Sequence, residues 1–296
     1  MTATPPRLKH RIEAAAARLL LGAVAKADID AASDFGARLA RLVGPLSGAH
    51  RTAQDNLWHA FPNLSDASRA EILRQAWDNF GRTMTEYAVL PRLWPNAWKE
   101  RVTVTGHERL VEHAASGKPS ILFSGHLGNW EMIPLALAQT AKPLLVVYRP
   151  PNNRLVDEMI GDVRRAYASA LAPKGAAGAR MILKGLAKDE QVFMVVDQKI
   201  NAGLPIPFFG REAFTGTAVA QFAMKFACPV FPVRCVRLAG CRFEVRVEDP
   251  WTFEGAEDDM EAVRAALVRI NTRVEEWIRE YPGEWLWMHR RWPRAF

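Results

Sequence analysis

The chain has 296 residues, enough for one large α/β domain or two smaller domains with a buried core. Hydrophobic residues make up 49% and charged residues 24%, so extensive disorder is not expected. The net charge of +7 suits an anionic lipid, an acidic protein or nucleic acid, but no zinc-finger spacing, RNP-like motif or long Lys/Arg run supports nucleic acid. Cys228, Cys235 and Cys241 form no CxxC pair, so neither a zinc site nor a redox motif is indicated, and a reducing compartment is favoured.

The N-terminus contains an apolar stretch, Ala14 to Ala25, preceded by basic residues that include Arg7 and Arg11. It is too short, and interrupted by Arg18, to span a bilayer, which takes roughly 20 apolar residues. It also lacks the cleavage region of a signal peptide. The pattern predicts an amphipathic helix within residues 7–26, which either lies on a membrane or packs on its own domain.

Residues 8–100 are predicted to be mostly helical, with breaks at Gly44-Pro45, Phe61-Pro62-Asn63 and Leu90-Pro91. Ser65 is typical of a helix N-cap, because apolar residues recur at helical spacing after it. This N-terminal helical portion, residues 1–100, contains the membrane-associating helix.

From residue 101 the pattern alternates between strands and helices. The predicted strands are short, apolar and often β-branched: Arg101–Thr105, Ser120–Ser124, Leu144–Tyr148, Val192–Val196, Val230–Val236 and Phe243–Val247. The predicted helices lie at 107–116, 131–140, 153–169, 177–188 and 215–227, followed by a long helix from Met260 to Tyr281 with one buried stripe. This alternation predicts an α/β fold, a three-layer sandwich around a largely parallel mixed sheet, with residues 101–296 as its core and one folding unit in all.

The segment Ile121-Leu-Phe-Ser-Gly-His126-Leu-Gly-Asn-Trp-Glu131 is the most informative for function. A buried strand leads into a turn with Gly125 and Gly128, and functional groups of α/β folds gather at such strand ends. On one helix His126 and Glu131 would point ~140° apart, at ~100° per residue, so they can meet only if His126 lies in the loop and Glu131 begins the helix.

With that geometry, a carboxylate on one ring nitrogen fixes the tautomer of His126 and leaves the other nitrogen as a base. The base takes the proton of a substrate hydroxyl, which attacks an acyl carbonyl directly. No GxSxG elbow and no Cys near a candidate His offers a protein nucleophile. For an arbitrary H-x4-E pair, a loop His and a helix-start Glu would be the better interpretation.

The surroundings of the pair favour catalysis. Ser-Gly-His126-Leu-Gly-Asn129-Trp-Glu131 strongly resembles the lipid A biosynthesis acyltransferase family, the bacterial lauroyl/myristoyl type within the H-x4-D/E glycerolipid acyltransferase superfamily. Four further blocks resemble that family in the same order: Tyr148-Arg149-Pro150 with Asn152-Asn153; Val196-Asp197-Gln198 with Pro207-Phe208-Phe209-Gly210 and Thr215; Val230-Phe-Pro232-Val-Arg234; and Trp285-Leu-Trp-Met-His289-Arg290-Arg291. The resemblance covers nearly the whole chain, but the poor N-terminal membrane span departs from many members of the family.

The resemblance implies acyl transfer from an acyl carrier protein thioester to a hydroxyl of a lipid A precursor, without a metal or nucleotide cofactor. It implies His126 as general base oriented by Glu131, at the cytoplasmic face of the bacterial inner membrane, with peripheral or N-terminal attachment. Arg149 is expected to hold a phosphate by paired hydrogen bonds. Asp197 and Gln198 are expected to form a wall of the site and to contact the substrate, and Arg234, in the fourth matching block, is also expected to bind substrate.

Asn129 and the amide of Gly128 are candidate donors to the oxyanion of the tetrahedral intermediate. A structural role is favoured for His289 over that of a second base. Three alternatives stay open: acyl transfer to another glycolipid or aminolipid, such as a mannosyl or ornithine lipid; an acyl thioesterase; and, least favoured, a lipid-binding protein without catalysis.

Overall fold

The computed structural model describes residues 8–95, 97–138, 142–151 and 153–293. Two residues named in the sequence predictions, Arg7 and Asn152, lie outside the described part of the chain. None of the helices within these ranges combines the length and the apolar character that a membrane span requires.

Helices dominate the first hundred residues. They are α1 (Leu8–Val24), α2 (Ile29–Val43), α3 (Gly48–Ala60), α4 (Asp66–Glu86) and the short α5 (Leu90–Leu93), with 3-10 turns at Gly44–Leu46 and Ala97–Glu100. Ser65 caps α4 as the sequence predicts, since its side chain accepts a hydrogen bond from the backbone N–H of Ser68 at 3.1 Å. Asp28 caps α2 in the same way.

The predicted amphipathic N-terminal helix is present as α1. Its Ala14 is buried, and the side chain of Asn153 donates a hydrogen bond to the His10 carbonyl at 2.9 Å, so α1 packs against the start of α8. Leu8 and Ile12 remain exposed. This helix therefore both packs on its own domain and presents apolar side chains to solvent.

Strands and helices alternate in the rest of the chain. The strands are β1 (Val102–Thr105), β2 (Ser120–Ser124), β3 (Leu144–Tyr148), β4 (Ala170–Pro173), β5 (Gln191–Val195), β6 (Leu204–Phe208), β7 (Arg211–Thr215), β8 (Val230–Arg237) and β9 (Phe243–Val247). The helices are α6 (His107–Ala115), α7 (Met132–Leu137), α8 (Arg154–Arg164), α9 (Ala176–Leu186), α10 (Ala218–Phe226) and α11 (Met260–Glu280), followed by a 3-10 turn at Pro282–Glu284.

Seven strands form one sheet in the order β1-β9-β8-β2-β5-β3-β4, and only the β8–β9 pair is antiparallel. Successive residues of the central strand β2 enter opposite cores: Ile121 and Phe123 pack on one face, and Leu122 packs on the other. Helices cover both faces because buried parallel strands are apolar on both sides. The predicted α/β three-layer sandwich around a largely parallel mixed sheet is confirmed.

Three local predictions need correction. The helix predicted over 153–169 ends at Arg164 because strand β4 begins at Ala170. The hairpin β6–β7 was missed: β6 contains two prolines, which lower the strand signal and are tolerated in this two-stranded sheet. The stripe predicted for the last helix includes Met260, but this side chain is exposed.

The N-terminal helices share a core with the sheet. Leu57 of α3 and Leu73 of α4 belong to the same cluster as Ile121 and Phe123. A division of function between residues 1–100 and 101–296 stays a prediction.

Candidate active site

His126 and Asp197 meet at the carboxyl edge of the sheet. Strands β2 and β5 are parallel neighbours whose last residues, Ser124 and Val195, lie in register, and each functional side chain comes two residues later. The ring Nδ1 of His126 lies 2.6 Å from Asp197 Oδ1, and the backbone N–H of His126 donates to Asp197 Oδ2 at 2.7 Å. The indole N–H of Trp285 donates to the same Oδ2 at 2.6 Å.

Asp197 is held as a carboxylate. Burial alone would raise its pKa, but the positive charge that His126 can carry and the hydrogen bonds from His126 and Trp285 outweigh that effect and lower the pKa to about 2. An ionised carboxylate can only accept hydrogen bonds, so we assign the ring proton of neutral His126 to Nδ1. The lone pair of Nε2 is then left on the side of the ring away from Asp197, where the side-chain amide nitrogen of Gln198 lies 3.2 Å from it.

The predicted contact between Glu131 and His126 is wrong. Glu131 does stand at the N-cap of α7, as expected, but its buried carboxylate points to Arg164, whose Nε donates to Oε2 at 2.9 Å. The hydroxyls of Tyr87 and Tyr167 complete its shell at 2.6 and 3.1 Å. Burial would raise the pKa of Glu131, but the charge of Arg164 and these hydrogen bonds lower it. Glu131 is thus committed to the arginine, and the carboxylate on His126 is Asp197.

The hydrogen-bonding groups of Asn129 and Gly128 are also used by partners within the protein. The Asn129 amide donates to buried Glu86 at 2.7 Å, its carbonyl oxygen accepts from the N–H of Glu131, and the N–H of Gly128 donates to the Glu284 carbonyl at 3.2 Å. These contacts contradict the predicted oxyanion role of both groups, because the donors are used by Glu86 and by the Glu284 carbonyl.

Glu86 ties this support together. It is fully buried and accepts hydrogen bonds from Ser33 of α2 at 2.6 Å and from Arg237 of β8 at 2.6 Å, besides Asn129. The loop that carries His126 is therefore fixed through one buried carboxylate to α2 and to the sheet.

A cavity of about 750 Å³ opens beside His126. Its wall is mostly apolar, with side chains from strands β3 and β5 and helices α4, α9 and α10. Its polar groups include those of His126, Glu131, Arg149, Arg164, Gln198 and His289. Such a cavity fits a long apolar group whose reactive end is held among a few polar side chains.

Arg149 lies at the end of β3, is exposed and lines this cavity. It makes no hydrogen bond or ion pair with any described residue, so its guanidinium is free to bind an anion there. Exposed Lys174 lines the same cavity.

Arg234 lies elsewhere. Its guanidinium pairs with Glu280 at 2.5 Å and stands over the Tyr281 ring, and it does not line the cavity that contains His126. The predicted contact of Arg234 with substrate is contradicted, since β8 directs this side chain toward the end of α11.

His289, for which the sequence favours a structural role, lies in the site. Its ring stacks on that of His126, with centroids 6.5 Å apart and planes 14° apart. Burial and the neighbouring His126 charge lower its pKa, which favours a neutral ring. The C-terminal segment reaches the site because the N–H of Leu286 donates to the His126 carbonyl at 3.0 Å.

Sequence reasoning also missed Arg164, Tyr87 and Tyr167. No local motif marks them, because Arg164 ends α8, Tyr87 is the C-cap of α4 and Tyr167 follows α8, and they meet Glu131 only in the folded chain. Trp285 was visible as part of the C-terminal block, but its bond to Asp197 spans 88 positions.

The chain matches the family model described as bacterial lipid A biosynthesis acyltransferase over residues 6–294. It is 24% identical over 265 residues to the lipid A biosynthesis palmitoleoyltransferase of Escherichia coli (strain K12), covering 87% of this chain and 83% of the relative. It is 27% identical over 242 residues to the lipid A biosynthesis lauroyltransferase of the same strain, covering 80% and 76%. It is 21% identical over 227 residues to a phosphatidylinositol mannoside acyltransferase of Mycolicibacterium smegmatis (strain ATCC 700084 / mc(2)155), covering 75% and 72%.

Proposed function

Because the chain belongs to the bacterial lipid A biosynthesis acyltransferase family and is an acyltransferase, we propose that it transfers a fatty acyl group from an acyl carrier protein thioester to a hydroxyl of a lipid A precursor, with His126 as general base. The observation that carries this proposal is the Asp197–His126 pair at the mouth of a largely apolar cavity. Asp197, rather than Glu131, orients the base.

The reaction needs one base and no protein nucleophile. The acceptor hydroxyl takes the place of the Gln198 amide at His126 Nε2 and gives up its proton as its oxygen attacks the thioester carbonyl carbon. Asp197 stabilises the imidazolium that forms. The tetrahedral intermediate then collapses, the C–S bond breaks, and the proton passes from Nε2 to the leaving thiolate.

The cysteines are poor candidates for a covalent route. Burial raises the pKa of Cys228 to about 12, and Cys235 and Cys241 are shifted in the same direction by burial. All three are buried thiols outside the cavity lining, so direct transfer is the simpler mechanism.

The cavity suits both ends of an acyl lipid. Its apolar wall offers burial to a fatty chain, which is worth about 0.8 kcal/mol per CH₂ group. Arg149, free of protein partners among the described residues, is placed to bind a phosphate of the acceptor. Glu131 fixes Arg164 in the wall, so its role is one of support.

The positive net charge of the chain supports two partners. The net charge of +7 suits an acidic acyl carrier protein as donor and an anionic membrane surface as the place of work. We propose that the enzyme works at the cytoplasmic face of the bacterial inner membrane, attached peripherally or through its N-terminal helices.

A second acceptor class deserves a test because one relative is named a phosphatidylinositol mannoside acyltransferase. A mannosyl lipid, or an aminolipid such as an ornithine lipid, would present its hydroxyl to the same base. A thioesterase would need water at His126 Nε2 in place of the acceptor hydroxyl.

The deciding experiment incubates the purified enzyme with acyl carrier protein thioester and each acceptor in detergent, and measures products by mass spectrometry. We expect an acylated lipid A precursor. The His126→Ala variant should lose at least ~10²-fold in rate while its circular dichroism is unchanged. Acylation of only the mannosyl or ornithine lipid would reassign the acceptor, and free fatty acid without acylated lipid would make the enzyme a thioesterase. Near-normal transfer by folded His126→Ala would overturn the mechanism.

A further inference from the structure

Helix α2 has one face that is packed very closely. Its Ala32, Gly36, Ala37 and Ala40 are buried, and a Cβ atom on Gly36 would lie only 2.2 Å from the Gly81 carbonyl of α4. Small residues on this face let the two backbones touch. Four large apolar side chains of α2, Phe35, Leu39, Leu42 and Val43, remain exposed.

These side chains form an apolar, exposed row. Phe35, Leu39 and Leu42, with Leu46 of the following 3-10 turn, recur at steps of three or four residues, and Val43 lies beside Leu42. Between 37% and 86% of each of these five residues is accessible. We call these five residues the α2 stripe. Single exposed apolar residues are common in soluble proteins, but a contiguous row of large ones marks an interaction surface.

The unpaired charges near the stripe are positive. Arg38 within α2 and Arg51 in α3 are exposed and make no ion pair or hydrogen bond with any residue in the described part of the chain. The carboxylates of α2 are neutralised, since Asp30 pairs with Arg101 and Asp34 with Arg82. The surface thus joins apolar side chains to free guanidinium groups, which anionic lipid headgroups complement.

The stripe leads to the substrate cavity. Its last residue, Leu46, is followed three positions later by Ala49, which lines the cavity together with Phe80 and Met84 of α4. Gly44, between Val43 and Leu46, packs directly on Trp77, whose ring makes an edge contact with Phe80. An apolar path therefore runs from the exposed stripe to the wall of the cavity.

We propose that the α2 stripe seats the enzyme on an anionic lipid bilayer, so that the lipid acceptor enters the cavity along Leu46, Ala49 and Phe80 without leaving an apolar environment. This inference rests on the proposed function for the identity of the substrate. It assigns part of the membrane-binding surface to α2, in addition to α1. A symmetric dimer through α2 fits less well, because it would bring the unpaired Arg38 of both copies into one interface without a carboxylate.

The test is flotation of the full chain with vesicles of phosphatidylcholine, with and without phosphatidylglycerol. The stripe variant carries Phe35→Ser, Leu39→Ser and Val43→Ser, three stripe residues that are 37–47% exposed and lie off the proposed entry route of the acceptor. The matched control carries Val111→Ser, Met260→Ser and Val268→Ser, three apolar residues on other elements that are exposed to a comparable 36–45%. We expect the stripe variant to bind anionic vesicles at least about tenfold more weakly, and the control to bind like wild type.

Removing the two unpaired arginine charges tests the electrostatic part of vesicle binding independently. Arg38→Gln with Arg51→Gln should weaken binding to vesicles that contain phosphatidylglycerol several-fold and leave the weak binding to phosphatidylcholine unchanged. Equal loss on both kinds of vesicle would overturn the electrostatic part of the proposal.

Light scattering and a detergent assay separate the other outcomes. Wild-type vesicle binding by a folded stripe variant would overturn the proposal, as would a wild-type dimer that the stripe variant splits. The stripe variant should keep the wild-type transfer rate on detergent-dispersed acceptor. If wild type itself transfers nothing in detergent, the proposed function fails, while the vesicle result still decides the role of the stripe.

Discussion

Asp197 forms two hydrogen bonds with His126, one with the ring Nδ1 and one with the backbone N–H, and both contacts depend on the negative charge of Asp197. Asp197→Asn keeps the shape but can donate a proton from its amide, which favours the wrong ring tautomer and removes the partner of the imidazolium. We expect kcat to fall by ~10²–10⁴-fold with a smaller change in KM. Steady-state kinetics would check this, and wild-type kcat in a folded variant would contradict the assignment.

Replacement of Glu131 should instead affect the stability of the fold. Glu131→Gln leaves Arg164 buried without its carboxylate, so we expect the free energy of unfolding to fall by roughly 3–5 kcal/mol. Urea denaturation measures this loss, and adding Arg164→Met should restore much of it. If Glu131→Gln keeps wild-type stability and still loses transfer, Glu131 acts in the reaction rather than in the wall.

The catalytic pair shows which parts of a site can be predicted from a sequence: the base His126 can be, but its carboxylate partner cannot. His126 was identifiable because it follows a buried strand in a glycine turn, and that is a local pattern. Its carboxylate partner was assigned to Glu131, five residues away, whereas Asp197 is 71 positions away. Strand order determines that β5 lies beside β2, and no local pattern contains strand order.

At the scale of elements, the 3-10 turn after α11 carries an unusual carboxyl group. Burial raises the pKa of Glu284 to about 7, from an ordinary value of 4.5, despite hydrogen bonds from the Arg237 backbone N–H. The folded state therefore binds this proton more tightly than the unfolded state does. Stability should fall as the pH rises from about 4.5 to about 7, by at most about 3 kcal/mol from this group.

Glu284→Gln can still accept the hydrogen bonds from Arg237 but cannot ionise. We expect its unfolding free energy to decline less than that of wild type between about pH 5 and about pH 7.5, as followed by urea titrations across that range. Parallel pH profiles for the two proteins would contradict the raised pKa.

The elements themselves were largely predictable. β2, β3 and β9 have the bounds that the sequence predicts. β2 is buried throughout, whereas β9 alternates buried apolar residues with half-buried Glu244 and Arg246, and each of these patterns is a strong local signal. The β6–β7 hairpin gave no such signal, since Pro205 and Pro207 interrupt its pattern. The sequence could not reveal which helix face would remain uncovered, because that depends on how tightly Gly36 meets Gly81.

For the whole molecule, helices α1 and α2 are both candidates for attachment to the membrane, and a truncation separates their contributions. Removal of residues 1–26 deletes α1 but leaves the α2 stripe, so a folded truncation should keep a measurable part of the vesicle binding of wild type. Flotation with circular dichroism as the folding control tests this. Complete loss of binding by a folded truncation would assign attachment to α1 instead.

The buried carboxylate of Glu86 has a consequence at this scale. Ser33, on the inner side of the helix that bears the α2 stripe, and Asn129, three residues from His126, hold the same carboxylate at 2.6 and 2.7 Å. The helix proposed to rest on the bilayer is thus joined through one buried side chain to the loop that carries the base. If α2 seats the enzyme as proposed, the fold sets the height of His126 above the hydrocarbon region, and only a hydroxyl presented at that height would react. Which position of an acceptor receives the acyl chain would then be decided by its depth in the lipid layer as much as by its chemistry.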